Sequence, residues 1–206
     1  MKIISHRGVW KTVEEKNSLR AFERSFNLNF GTETDLRDYE GEVIISHDPP
    51  VDKGISLQQF LSLYKKISPS GSLTMALNIK ADGLASIVSK ELKKYETLNY
   101  FVFDMSVPDM RSYLNLGLRV FARLSEQEKN LAYESQVRGV WLDGLESAWF
   151  RKGDIEAILA KDKEVCIVSP DLHGRDHLDT WRMLKEIQDM DFTLCTDLPE
   201  DAQSFF

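Results

Sequence analysis

The sequence predicts an α/β fold, a single (β/α)8 TIM barrel over residues 1–206. Short apolar runs rich in branched residues alternate with helical stripes along the whole chain. Their spacing is that of a repeated strand–helix unit, which implies parallel strands joined by crossover helices. Eight such runs in strict alternation match the barrel count, although an open doubly wound sheet shows the same alternation. No linker, low-complexity stretch or charge block interrupts the pattern, so a single domain is expected.

The expected barrel strands are Ile3–His6, Thr32–Arg37, Leu73–Lys80, Tyr100–Asp104, Arg119–Arg123, Gly139–Asp143, Glu164–Ser169 and Phe192–Thr196. A further run, Glu42–Ser46, follows a turn at Glu40-Gly41 and reads as a hairpin partner of the second strand. Asn17-Ser18 caps a helix with apolar face Leu19, Phe22 and Phe26, which ends before Gly31. Ser56 caps the stripe Leu57, Phe60, Leu61, Tyr64. Leu84, Ile87, Val88 and Leu92 repeat that spacing after Asp82. Pro108 suits the first turn of a helix that stops at Gly117. His177, Leu178, Trp181, Leu184 and Ile187 form a last stripe. These stripes face the core and carry no chemistry. At this length the barrel is near the small end of its range, so its loops must be short.

An apolar fraction of 42% supports a real core. A net charge of -7 argues against nucleic-acid binding, which needs a basic face. It does not exclude an anionic substrate, because a bound metal inverts the local field. No apolar run approaches the length of a membrane span. His6 lies so near the start that cleavage of a signal would remove it. Cys166 and Cys195 sit in apolar runs without redox or zinc motifs, and buried thiols fit a cytoplasmic location.

The chemistry gathers at the strand ends. His6 and His47 each close an apolar run, Lys2–Ser5 and Val43–Ser46, and an imidazole pair supplies one general base and one general acid. Glu33 and Asp35 sit two apart, so on a strand they share a face and can share one hard cation. An acid, a base and a metal in one site suit phosphoryl chemistry. Later strands end in Asn78-Ile79-Lys80, Asp104, Arg123, Asp143, Pro170–Arg175 and Thr196-Asp197.

Four segments carry a family resemblance: Ser5-His6-Arg7-Gly8, Lys16-Asn17-Ser18-Leu19, Gly31-Thr32-Glu33-Thr34-Asp35 and Gly41–Asp48. Their order and spacing resemble the HRG, E-N-T/S, E-x-D and H-D signatures of the glycerophosphodiester phosphodiesterase family. Asn78-Ile79-Lys80 takes the place of its E-x-K strand, and Cys195–Pro199 resembles its closing T-D-x-P. The resemblance spans nearly the whole chain and implies the barrel fold independently of the strand count. The chain departs from the family in three places. Asn78 replaces a glutamate, the segment from His47 to Asn78 is too short for the family's inserted subdomain, and Pro170–Arg175 replaces an aromatic-rich strand end.

The resemblance implies one divalent cation, Mg²⁺ or Ca²⁺, held by Glu33 and Asp35 with the side-chain oxygen of Asn78. It implies His6 and His47 as the acid–base pair on a small glycerol- or sugar-type phosphodiester, with Arg7 and Lys80 balancing its charge. Asp171, His173 and Arg175 would read the leaving group's hydroxyls. Asp48 before Pro49-Pro50 reads as a turn residue. Lipid head-group recycling and surface-polysaccharide turnover are both open. Two other readings also stay open: a sphingomyelinase-D-like lyase releasing a cyclic phosphate, and a phosphoester-binding protein without turnover.

Overall fold

A computed structural model describes residues 1–206. Its strands and helices, in chain order, are β1 Lys2–His6, α1 Leu19–Asn27, β2 Gly31–Tyr39, β3 Glu42–Ile45, α2 Leu57–Ile67, β4 Met75–Ile79, α3 Ala85–Leu92, β5 Tyr100–Phe103, α4 Val107–Asn115, β6 Phe121–Leu124, β7 Gly139–Leu142, α5 Lys152–Leu159, β8 Glu164–Val168, α6 Leu178–Lys185, β9 Thr193–Thr196 and α7 Pro199–Phe205. The sheet order is β5-β4-β2-β1-β9-β8-β7-β6, with β3 attached to β2 alone. This order, with crossover helices, is that of the expected (β/α)8 barrel. All nine expected strands are present. Contacts divide the chain into two compact units.

The unit Arg7–Val120 carries β2 to β5. β2 and β4 pair in parallel, setting Glu33 beside Ala76 and Asp35 beside Asn78. β4 and β5 pair in parallel, setting Asn78 beside Phe103. Every β2 residue from Gly31 to Leu36 is buried, as expected of a parallel strand covered on both faces. β3 returns antiparallel, with Tyr39 opposite Glu42 and Leu36 opposite Ile45. The turn between them uses left-handed Glu40 and Gly41 (φ 49° and 82°), the two-residue hairpin that the strand twist favours. Ser18 caps α1 by accepting from Ala21 N–H, and Ser56 with Gln59 forms a capping box on α2. The facing stripes meet as rings: Phe22 lies 4.8 Å from Phe60, and Phe26 lies 5.4 Å from Tyr64, both near edge-to-face.

The unit formed by Met1–His6 and Phe121–Phe206 carries β1 and β6 to β9. β1 pairs in parallel with β9, setting Ser5 beside Thr196. β9 pairs with β8, and β8 with β7. The core gathers Val140, Leu142, Ile155, Val165, Ile167, Trp181, Leu184 and Leu194. Trp181 spends its indole N–H on Ser169 Oγ at 2.8 Å, so its burial leaves no orphaned donor. Cys166 and Cys195 are buried thiols.

Strict alternation fails at one place. Residues 125–138, between β6 and β7, contain no helix. The segment has no apolar stripe, and its polar side chains bind turn backbone instead. Ser125 Oγ accepts from the Gln127 and Glu128 N–H groups, and the Glu126 carboxylate accepts from Leu145, Glu146 and Ser147. Conversely, α5 and α7 are present though not expected; neither has a Ser, Thr, Asp or Asn cap, although Pro199 opens α7 as a start signal. No helix is long and apolar enough to cross a membrane.

Candidate active site

The Ser5–Gly8 motif has a backbone explanation. Arg7 adopts a left-handed conformation (φ 58°), and Gly8 follows at φ 85°. A Cβ on Gly8 would meet the Ala21 carbonyl carbon at 2.7 Å, so only glycine fits there. The kink lets Arg7 N–H reach Glu33 O and Gly8 N–H reach Thr32 Oγ1, both at 3.0 Å. Asn17, also left-handed (φ 59°), closes the loop by donating its N–H to Arg7 O at 3.0 Å.

In the Arg7–Val120 unit the expected residues converge on Asp35. Its carboxylate is fully buried. Arg7 Nε lies 2.9 Å from Oδ2, Asn17 Nδ2 donates to Oδ2 at 2.8 Å, and Lys80 Nζ lies 3.6 Å from Oδ1. Lys80 also donates to Asp104 Oδ2 at 3.3 Å, and Asp104, like Arg7 and Asn17, is left-handed (φ 71°). Glu33 is equally buried, and Asn78 Nδ2 donates to its Oε1 at 3.2 Å. Burial and the neighbouring Asp35 charge push the Glu33 carboxyl up to about 8, against the pull of Arg7 and Lys80.

This donor set fits a hard cation. Glu33, Asp35 and Asn78 present side-chain oxygens on one face of β2 and β4. Asn78 Oδ1 is buried without a hydrogen-bond partner, an orphan that a cation would satisfy. No three His, Cys, Asp or Glu side chains are grouped to hold a metal, because the third donor here is the neutral amide. Oxygen-only ligation suits Mg²⁺ or Ca²⁺.

His47 follows β3 at the level of these carboxylates, since Ser46 N–H donates to Asp35 O at 3.1 Å. The ring is half-exposed, and its Nδ1 lies 2.9 Å from Asp48 Oδ1. Arg37 ties the turn by donating Nε–H to His47 O. Asp48, expected as a turn residue, does both jobs: its carbonyl accepts from Ser46 Oγ at 2.7 Å while its carboxylate meets the ring.

In the other unit His6 Nδ1 lies 2.7 Å from Asp197 Oδ1, and both side chains are largely buried. A carboxylate at Nδ1 favours the Nδ1–H tautomer, in which Nε2 is the basic ring nitrogen. Both imidazoles have a carboxylate at Nδ1, the one beside His6 largely buried and from the far end of the chain, the one beside His47 exposed and from the next residue. The remaining three expected residues engage their own surroundings. His173 Nε2 lies 2.8 Å from Asp143 Oδ1, and Arg175 donates to Gly144 O. Asp171 Oδ2 accepts from Thr196 Oγ1 at 2.9 Å and Asp197 N–H at 2.7 Å.

Sequence reasoning misses two roles. It assigns Asn17 only a helix cap, yet the Asn17 amide holds Asp35. It assigns Asp197 only a strand end, yet Asp197 pairs with His6. The motif matches around Lys16–Ser18 and Thr196–Pro199 are the signals in the chain that point to both.

No protein-family model matches the chain, and no curated protein matches it. Among solved structures it is similar to the crystal structure of glycerophosphodiester phosphodiesterase from Agrobacterium tumefaciens str. C58. The TM-score is 0.72 at 16% identity, covering 99% of both chains. Over nearly its whole length, then, the chain shares the (β/α)8 fold of that enzyme.

Proposed function

We propose that the protein is a metal-dependent phosphoric diester hydrolase acting on a small glycerol- or sugar-type phosphodiester. The observation that carries this reading is the buried Glu33–Asp35 pair with Asn78 at its side and two cationic side chains, Arg7 and Lys80, against Asp35. Glu33, Asp35 and Asn78 would hold Mg²⁺ or Ca²⁺. When bound, the cation supplies Lewis-acid polarisation of a phosphoryl oxygen. Arg7 and Lys80 supply charge for the phosphate. Lys80 is one-fifth exposed and Arg7 nearly as much, so each retains a face toward a ligand. His6 and His47 exchange protons at Nε2, each held by a carboxylate at Nδ1. Fold similarity to a glycerophosphodiester phosphodiesterase supports the same chemistry.

The test is hydrolysis of a diester panel with Mg²⁺, Ca²⁺, Mn²⁺ or EDTA. The panel holds glycerophosphocholine, glycerophosphoethanolamine, glycerophosphoglycerol, lysophospholipids and nucleotide-linked diesters. The expected result is cation-dependent release of an open phosphomonoester, with His6→Ala lowering the rate about 10²–10⁴-fold. A cyclic phosphate product would replace hydrolysis by intramolecular transfer. Silence across the panel with the cation bound would remove the hydrolase reading.

A further inference from the structure

We propose that Asp171 is a positioning residue for His6, acting through Asp197; the proposal rests on His6 being a proton-transfer group. Asp171 lies in the single 3-10 turn Pro170–His173 that follows β8. Its Oδ2 receives both hydrogen bonds described above, from partners 25 and 26 residues away. An ordinary turn-forming aspartate binds an N–H two residues on, so this is a tertiary clamp. The clamp holds the backbone of the residue whose carboxylate meets His6 Nδ1. Thr196 Oγ1 adds a second tie by accepting from Leu198 N–H at 3.0 Å. One chain of contacts thus joins the exit of β8, the exit of β9 and the end of β1.

The turn that presents Asp171 is itself well held. Pro170 fixes its first φ, and Gly174 closes it in the left-handed region (φ 67°). Ser169 N–H donates to Cys195 O at 2.9 Å, so the turn starts from the β8–β9 ladder. Ser169 Oγ is in turn fixed by the Trp181 indole. A residue that reads a ligand needs an accessible polar atom. On Asp171 the Oδ2 atom is taken up by two protein donors, so that oxygen is committed to the clamp. Through that oxygen Asp171 serves the imidazole. The reason such a clamp matters is geometric: displacing a catalytic group by 1 Å costs about 10²-fold in rate.

Two readouts test this in Asp171→Ala, Asp171→Asn and Thr196→Val. In the hydrolysis assay, Asp171→Ala is expected to lower kcat about 10–100-fold with KM within about twofold. Asp171→Asn recovers most of that loss, because its amide oxygen still accepts from Asp197 N–H. The second readout needs no turnover: ¹⁵N spectra of the His6 ring at fixed pH. The wild-type ring shows the single Nδ1–H tautomer, and Asp171→Ala moves it toward a tautomer mixture while His47 and His177 stay put. A His6 ring unchanged in folded Asp171→Ala overturns the proposal. A changed ring in a protein whose wild type hydrolyses nothing supports the clamp and removes the hydrolase reading instead. Should Asp171→Ala not fold, Thr196→Val decides: a smaller change in the same direction supports the clamp, and none overturns it.

Discussion

Asn17→Gly is the most informative single change, because one small side chain supports the carboxylate at the centre of the proposed cation site. Its Nδ2 donates to buried Asp35 Oδ2 at 2.8 Å, and its Oδ1 accepts from Thr34 Oγ1 at 2.9 Å. A hydrogen bond to a charged group contributes about 1.5–3 kcal/mol, and leaving the buried Thr34 hydroxyl without an acceptor costs about 1–3 kcal/mol. The sum centres near ~4 kcal/mol. For a chain of this length that lowers Tm by about 8–16 °C. Glycine accepts the left-handed backbone at φ 59°, so this variant isolates the side chain. Asn17→Ala adds a backbone penalty of about 1 kcal/mol. Urea denaturation followed by circular dichroism measures each loss as a shift in midpoint at constant slope. In the double-mutant cycle with Thr34→Val, the coupling is about 1 kcal/mol, because the orphaned hydroxyl disappears along with its partner. A loss under about 1 kcal/mol in Asn17→Gly, or no coupling to Thr34, would refute the assignment of Asn17 as the support of Asp35.

Further outcomes follow from the same contacts. Gly8→Ala forces a Cβ against Ala21 at positive φ and should cost about 2–5 kcal/mol by denaturation, with expression as a soluble but less stable chain; a neutral effect would mean that the loop relaxes freely. Glu15, held by Arg24 and by Lys11 N–H, has its carboxyl pulled down to about 2. Its folded value lies below its unfolded one, so its contribution is present above about pH 4.5 and is lost as pH falls toward 2. Arg24→Gln should flatten Tm against pH in that window, and an unchanged curve would contradict the pairing. Asn78→Asp adds an anionic donor and should tighten Mg²⁺ or Ca²⁺ binding about 10–100-fold in isothermal titration; weaker binding would place the cation away from β4.

Much of the fold is legible in the sequence because its signals are local. Alternating apolar runs mark all nine strands, and Gly41 announces the hairpin turn, since glycine adopts positive φ without a steric penalty. Ser18 and Ser56 mark helix starts because a cap acts within three residues. The lack of an apolar stripe in 125–138 is visible, but what holds that loop is hidden, because Glu126 spends its carboxylate on the N–H groups of Leu145 to Ser147. That choice depends on a loop nearly 20 residues away.

The same division runs through the site. The two-residue spacing of Glu33 and Asp35 is enough to put both carboxylates on one strand face, since side chains alternate along a strand. The ligand-type residues and the two histidines are likewise visible in the chain. Their partners are not. Asp35 meets Arg7, Asn17 and Lys80, and His6 meets Asp197, through contacts that span up to 191 residues. Nothing local selects Asp197 over Asp143 as the acceptor for His6. The parallel pairing of β1 with β9 selects it, by bringing the two strand ends side by side. Residue types and spacings follow from local chemistry, whereas the pairing of charges follows from which strands become neighbours.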